Sequence, residues 1–321
     1  MKTFEGSRIP ESKLDSVVEK EPKKINSEVR LSFFRHGEKD GDKLTPAGRL
    51  DAAKGTGSNF RSKEIEGIDN KPGFAVASPR KRAGEAAILA MEGVDLTEDE
   101  ILEYENLAQL TNNINEKAGL KYGSKFVVDQ RLDFRMTDDS ELLKGIIKSQ
   151  EEGKMLKWFV EESDQVVAGE KNQEENWGYS RMAANFAELI KKYFRTAKNF
   201  DTLVKKKKEN EEEIFPVLER YIGSHTPNID SFLVKLITKV KGEEIARKFV
   251  DLNSNGIKEL EGFKVEIKSF TDQSEPQIKI SYKSRDNNKD FQFETEITPE
   301  ILEEIIEEGG GEIGWKGQSS K

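Results

Sequence analysis

Two strand-to-helix junctions near the start of the chain constrain its fold more than any other feature. Val29–Phe34 (Val-Arg-Leu-Ser-Phe-Phe) is a compact apolar run of strand length that ends at Arg35-His36-Gly37-Glu38. Leu44-Thr45-Pro46-Ala47-Gly48 follows. Thr45 suits a helix N-cap and Pro46 the first turn, so a helix is expected to start there and run toward Phe60. Gly73–Ala77 is a second short apolar run, and Ser78-Pro79 repeats the cap-plus-proline signal before an Ala-rich helical stretch, Arg80–Met91. Strand, helix, strand, helix is an α/β layout.

Downstream, Leu96–Ala118 reads as a helix capped by Thr97, Phe126–Leu132 as a strand or extended loop, and Ser140–Ser163 and Asn176–Lys208 as helices. Phe215–Gly223 reads as a third strand. Ser224-His225-Thr226-Pro227 and the helix Asn228–Val240 come next. The tail changes character. Phe263–Phe270, Gln277–Lys283 and Phe291–Ile297 alternate apolar and polar residues with period two, the pattern of half-exposed antiparallel strands. Thr298 and Pro299 open a short acidic helix with Ile301, Leu302, Ile305 and Ile306 on one face.

The expected division is a loose arm over 1–28 with a short helix near Lys13–Lys20, one catalytic domain over 29–300, and a helix with a frayed tail over 301–321. Within the domain, 96–163 is expected as a helical insertion and 263–297 as a β-rich tail. The fold class expected is a three-layer α/β/α sandwich with a mostly parallel central sheet, a helical insertion and a C-terminal antiparallel β extension.

Composition removes several chemistries. The 321 residues include no Cys and two His, which excludes disulfides, thiolate catalysis, zinc ribbons and His-rich metal sites. No EF-hand or Walker-type spacing is present. A net charge of −9 argues against nucleic acid as a partner. No apolar run reaches the ~20 residues of a membrane span. Residues 1–28 lack the apolar centre of a signal peptide, so the expected compartment is the cytoplasm and no membrane partner is expected. Lys205–Lys208 followed by Glu209–Glu213 reads as a solvated helix end, or else as a contact for an anionic partner.

Both histidines follow an apolar strand and precede a capped helix. In open α/β sheets, ligands bind in the crevice beyond the strand ends, so the fold is expected to bring His36 and His225 together there. Arg35 lies beside His36, and Arg80 and Arg82 open the helix after the second strand. Guanidinium forks and helix N-termini suit phosphate. Two imidazoles with two or more guanidiniums describe a dianion pocket in which one imidazole can attack phosphorus and the other can stabilise oxygen charge.

In order, Arg35-His36-Gly37-Glu38, Leu44-Thr45-Pro46-Ala47-Gly48, Ser78-Pro79-Arg80-Lys81-Arg82-Ala83 and Gly223-Ser224-His225 resemble the histidine phosphatase superfamily, which has the phosphoglycerate-mutase-like fold. The resemblance covers roughly 29–240. It implies that His36 becomes a phosphohistidine and that Arg35, Arg82 and His225 hold the phosphoryl group. It implies Arg82 rather than Arg80, because the family's arginine stands four after the serine. It also implies chemistry without a metal or other cofactor, since arginines and histidines supply the positive charge.

The chain departs from the family in three places. Gly48-Arg49-Leu50-Asp51-Ala52 replaces the usual Gly-x-x-Gln-Ala, and Thr226-Pro227 follows His225 where the acid-phosphatase branch has Asp. Arg131-Leu132-Asp133 resembles the mutase branch's acid motif with the acid one position early. Asp133 is therefore the expected general acid, with Glu105 as runner-up. The expected activity is phosphomonoester hydrolysis of a small phosphorylated metabolite or a phosphoprotein. The alternatives are a phosphoglycerate-type mutase and a catalytically idle phosphate- or phosphopeptide-binding module.

Overall fold

The computed structural model describes residues 24–56, 74–92, 104, 106–117, 125–284 and 291–310. Strand β1 (Ile25–Arg35) runs through the middle of its sheet. It is followed by a small hairpin, β2 (Lys39–Asp40) and β3 (Lys43–Leu44), and by helix α1 (Pro46–Asp51), which continues as a π-helical turn, Ala52–Thr56. Then come β4 (Phe74–Ala77), α2 (Lys81–Glu92), α3 (Leu107–Lys117), β5 (Lys125–Val128) and a 3₁₀ turn, Gln130–Leu132. Helices α4 (Glu141–Glu151), α5 (Met155–Gly169) and the long α6 (Tyr179–Glu209) precede β6 (Val217–Ser224) and α7 (Thr226–Lys241). The chain continues through α8 (Glu243–Leu252), β7 (Gly262–Phe270), β8 (Gln277–Lys283), β9 (Gln292–Ile297) and α9 (Pro299–Glu308).

Seven strands form one sheet in the order β5-β4-β6-β1-β7-β8-β9. β5, β4, β6 and β1 are parallel, and β7 then joins β1 antiparallel and leads into β8 and β9. The alternation along β1 assigns its two faces. Val29, Leu31 and Phe33 enter the core formed with α4–α9, whereas Phe34 enters the core formed with α1–α3. The result is a three-layer α/β/α arrangement whose antiparallel strands extend the parallel half. Phe33 stacks on Phe263 with ring centroids 4.6 Å apart, and Phe186 and Phe232 close the same cluster. Among the described residues, no helix is long and apolar enough to cross a membrane.

The register places the site. Arg35 pairs with Ser224, and Gly223 pairs with both Phe34 and Ala77. The carboxyl ends of β1, β4 and β6 therefore finish side by side, and the residues that follow them share one edge. Gly223 makes this possible, because a Cβ there would lie 2.2 Å from the Ala83 carbonyl oxygen of α2.

Several boundaries differ from the sequence expectation. β1 begins at Ile25, so residues 25–28 belong to the sheet and not to an arm. The polar side chains of Asn26, Ser27 and Glu28 hid this, but Asn26 and Ser27 donate to Asp201 Oδ1 of α6 at 2.7 and 2.8 Å. The span 96–163 is not purely helical, since it supplies the edge strand β5. The helix expected over Ser140–Ser163 is two helices broken at Gly153, where φ is +72°. Helix α8 was not expected. The lysine run ends α6, with Lys205 on Asp201, Lys207 on Glu212 and Lys208 on Asn26, in keeping with a helix end. Lys13–Lys20 and Thr97 lie outside the described residues.

Candidate active site

β1 delivers His36 to the carboxyl edge, and the His36 N–H extends the ladder to Ser224 O at 3.1 Å. The next turn packs backbone against backbone. A Cβ on Gly37 would lie 2.9 Å from Gly48 O, and one on Gly48 would lie 2.3 Å from Glu38 O. The Gly at each position lets α1 press on the His36 loop. Thr45 caps that helix by accepting from Gly48 N at 3.0 Å.

Two hydrogen bonds fix the His36 tautomer. A carbonyl oxygen can only accept, so Nδ1 is the protonated nitrogen that donates to Gly37 O at 2.7 Å. Arginine Nε can only donate, and Arg82 Nε donates to His36 Nε2 at 3.2 Å. Nε2 therefore carries the lone pair. The ring is 4% exposed. Burial pushes its pKa down to about 3, against the Gly37 hydrogen bond, and the charges of Arg82, Arg35 and Lys39 push the same way as burial. His36 is a neutral imidazole at neutral pH.

β6 delivers His225, the N-cap residue of α7. Its ring lies 5.2 Å from that of His36, centroid to centroid. Nε2 is 2.7 Å from Ser78 Oγ, and the buried Nδ1 has no hydrogen-bond partner. Burial, then His36 and the arginines Arg82, Arg80 and Arg35, hold its pKa well below the usual histidine range. Phe134 meets the ring edge-on at 4.9 Å.

The guanidiniums surround these rings. Arg82 is buried in the first turn of α2, and its Nη1 donates to Asp42 Oδ1 at 3.0 Å. Arg35 Nη1 donates to Ile257 O at 2.6 Å, and burial lowers its pKa against the opposing charges of Asp230, Glu259 and Glu261. Arg80, half-buried at the rim, donates through Nε to Asp133 Oδ1 at 3.1 Å and lies 4.8 Å over the Phe134 ring. Asp133 is tied down by its main chain as well, since its carbonyl accepts from Asn228 Nδ2 at 2.5 Å.

Of the residues singled out from sequence, His36, Arg82 and His225 are in one cluster, and Arg35 is close enough to act electrostatically on both rings. Asp133 stands at the rim on Arg80. Glu105 lies outside the described residues. Sequence reasoning missed Ser78 as a partner of His225, Asp42 as a partner of Arg82, and Phe134 as the wall between Arg80 and His225. Ser78 and the Asp40-Gly41-Asp42 turn carried only local signals, a helix start and a hairpin tip. Among the described residues, no group of three or more His, Cys, Asp or Glu is arranged to hold a metal ion.

A neutral imidazole with a directed lone pair, a second neutral imidazole beside it and three guanidiniums can together hold a phosphoryl dianion and attack it. The fold and site thus define an α/β protein with a cluster of imidazoles and guanidiniums at the carboxyl edge of its sheet. No family model matches the chain, and no curated protein matches it. Among solved structures it is similar to a mycobacterial glucosyl-3-phosphoglycerate phosphatase, at 18% identity and a TM-score of 0.39, covering 78% of this chain and 96% of that one. It is also similar to the same phosphatase in complex with VO3 (15% identity, TM-score 0.37, 74% and 92% covered). A protein named mycobacterial hydrolase 1 is similar at 17% identity and a TM-score of 0.37, with 74% and 88% covered.

Proposed function

We propose that the chain is a phosphomonoester hydrolase that works through a covalent phosphohistidine on His36. The observation that carries this reading is the pair of hydrogen bonds that leaves the His36 lone pair on Nε2, facing Arg82 and 5.2 Å, ring to ring, from His225. The substrate phosphate sits among Arg82, Arg35 and His225. His36 Nε2 attacks phosphorus in line as the P–O bond to the leaving group breaks, and Asp133, once released from Arg80 and carrying a proton, passes it to the leaving oxygen. Gly37 O holds the Nδ1 proton and stabilises the positive charge the ring acquires. Water then attacks the phosphohistidine as the Asp133 carboxylate takes its proton, the P–N bond breaks, and inorganic phosphate leaves with His36 and Asp133 both restored. The guanidiniums supply the charge that a metal ion supplies in other phosphoryl transfers.

Brief reaction with a labelled aryl phosphate, quenched in base, is expected to trap acid-labile, base-stable label on the protein. His36→Ala loses both label and turnover, and turnover persists in EDTA. Undiminished turnover in His36→Ala, or activity lost in EDTA and restored by Mg²⁺, refutes the reading.

A further inference from the structure

The lone pair that must attack phosphorus is already in use. A neutral imidazole nitrogen has one lone pair in the ring plane, and on His36 Nε2 it accepts from Arg82 Nε at 3.2 Å. An in-line attack needs that contact broken first. Arg82 is kept in place by the tip of the β2–β3 hairpin. Asp42 Oδ1 takes its Nη1 at 3.0 Å, Gly41 O lies 3.5 Å from the same nitrogen, and Asp42 Oδ2 accepts from Lys81 N at 3.2 Å.

The two partners differ in their surroundings. The Arg82 side chain is 10% exposed and the Asp42 side chain 57%. Asp42 can rotate into water at little cost, whereas Arg82 cannot leave the site. The hairpin itself stays anchored, because Arg82 N donates to Asp42 O at 2.8 Å and Leu44 N donates to the fully buried Glu85 Oε2 at 2.6 Å. The Asp42 side chain has to rotate out, and the Arg82 guanidinium, freed on Nη1, then has to shift within the site so that Nε leaves the His36 lone pair. A phosphoryl group offers three acceptor oxygens and more charge than a carboxylate, so it can take the guanidinium edge that now faces His36 and Asp42.

We propose that Asp42 sets this site's affinity for phosphate, by occupying the Arg82 fork and holding Nε across the His36 lone pair until a phosphoryl dianion displaces it. The inference rests on the phosphatase reading above. It makes Asp42 a built-in competitor: substrates and product phosphate both bind against it, and product leaves as the carboxylate returns.

The test compares wild type, Asp42→Asn, Asp42→Ala and Asp42→Glu as full chains. Titration calorimetry with inorganic phosphate gives Kd, and p-nitrophenyl phosphate hydrolysis gives KM and kcat. Losing a half-exposed ion pair is expected to tighten Kd and lower KM by roughly fivefold in the Asn and Ala variants. Asp42→Glu retains the competing charge and stays near wild type. Asp40→Asn, on the same hairpin, removes an equal charge that touches nothing in the site and leaves Kd unchanged. A Kd that is unchanged or weaker in both Asp42→Asn and Asp42→Ala overturns the inference, as does an equal tightening in Asp40→Asn.

If the variants do not fold, phosphate titration of the wild type followed by NMR decides. The Arg82 Nε–H and Asp42 carboxyl resonances are both expected to move. A carboxyl signal that stays fixed while the Arg82 signal shifts overturns the displacement. A wild type that neither binds phosphate nor turns over the aryl ester refutes the phosphatase reading itself, and this inference with it. That result is distinct from phosphate binding that ignores Asp42.

Discussion

Removing the His36 imidazole offers a direct measure of the field inside the site. In the unfolded chain its pKa is near 6.5, and in the fold it is lowered to about 3 by burial, with Arg82, Arg35 and Lys39 adding to the effect. A group whose folded pKa is depressed stabilises the fold above its unfolded pKa, and that contribution is lost as pH falls from 6.5 toward 3. Between about pH 7 and about pH 5 the unfolded chain takes up most of one proton at this position and the folded chain almost none. The linkage amounts to ~2 kcal/mol. His36→Gln keeps a neutral polar side chain that does not titrate.

Urea denaturation of both proteins at the two pH values cancels the carboxylates and His225 to first order. The stability of wild type relative to His36→Gln is expected to drop by ~2 kcal/mol on acidification. A difference that holds constant within ~0.5 kcal/mol refutes the claim that the folded site keeps His36 neutral. The same reasoning fixes a sign for catalysis: any loss of kcat/KM between those pH values cannot come from protonation of His36.

Two further outcomes follow from the contacts around the rings. Ser78→Ala leaves both nitrogens of the buried His225 without a protein partner, so stability falls by ~1–3 kcal/mol and aryl phosphate turnover by about tenfold. A thermal melt and steady-state kinetics read both effects, and Ser78→Thr restores part of each. Arg82→Ala costs roughly 10²–10³ in kcat and Arg82→Lys recovers only part of it, because the fork is lost. Arg80→Ala, at the rim on Asp133, is milder in the same assay, and the reverse order of severity exchanges the roles of the two arginines.

The parts of the site that were legible in the sequence are those that local chemistry specifies. An apolar run ending at Arg35-His36, a Ser-Pro helix start and a third run ending at Ser224-His225 each mark the carboxyl end of a strand, and parallel strands put such ends on one edge. Period-two alternation likewise located β7, β8 and β9 to within a residue. What it did not reveal is which strand they join. Alternation assigns faces, not neighbours, so nothing local says that Gly262 pairs with Phe34.

Helix α8 was legible in principle. Gly242 with φ +91°, then Glu243 and Glu244 in the first turn and Ala246, Phe249 and Val250 on one face, are the marks of a start and a stripe. Asp42 and Ser78 were not legible as site residues, because their partners Arg82 and His225 reach them only through the fold.

The position of β1 also bears on when the chain can complete this site during synthesis. The strand that carries His36 is made well before its parallel neighbour β6 and its antiparallel neighbour β7. The Arg35 guanidinium finds its carbonyl partner on Ile257, 222 residues downstream. At ~5–20 residues per second, roughly ten to forty seconds of translation separate the two. Until β6 is made, a strand bearing Leu31, Phe33 and Phe34 has neither of its final neighbours, and a ribosome stalled before β7 holds a nascent chain in which one edge of that strand is still unpaired. Nascent chains that stop short of β7 therefore expose a strand edge that the finished fold covers, and the cluster of His36, Arg82 and His225 cannot assemble until β6 and the residue after it have been made.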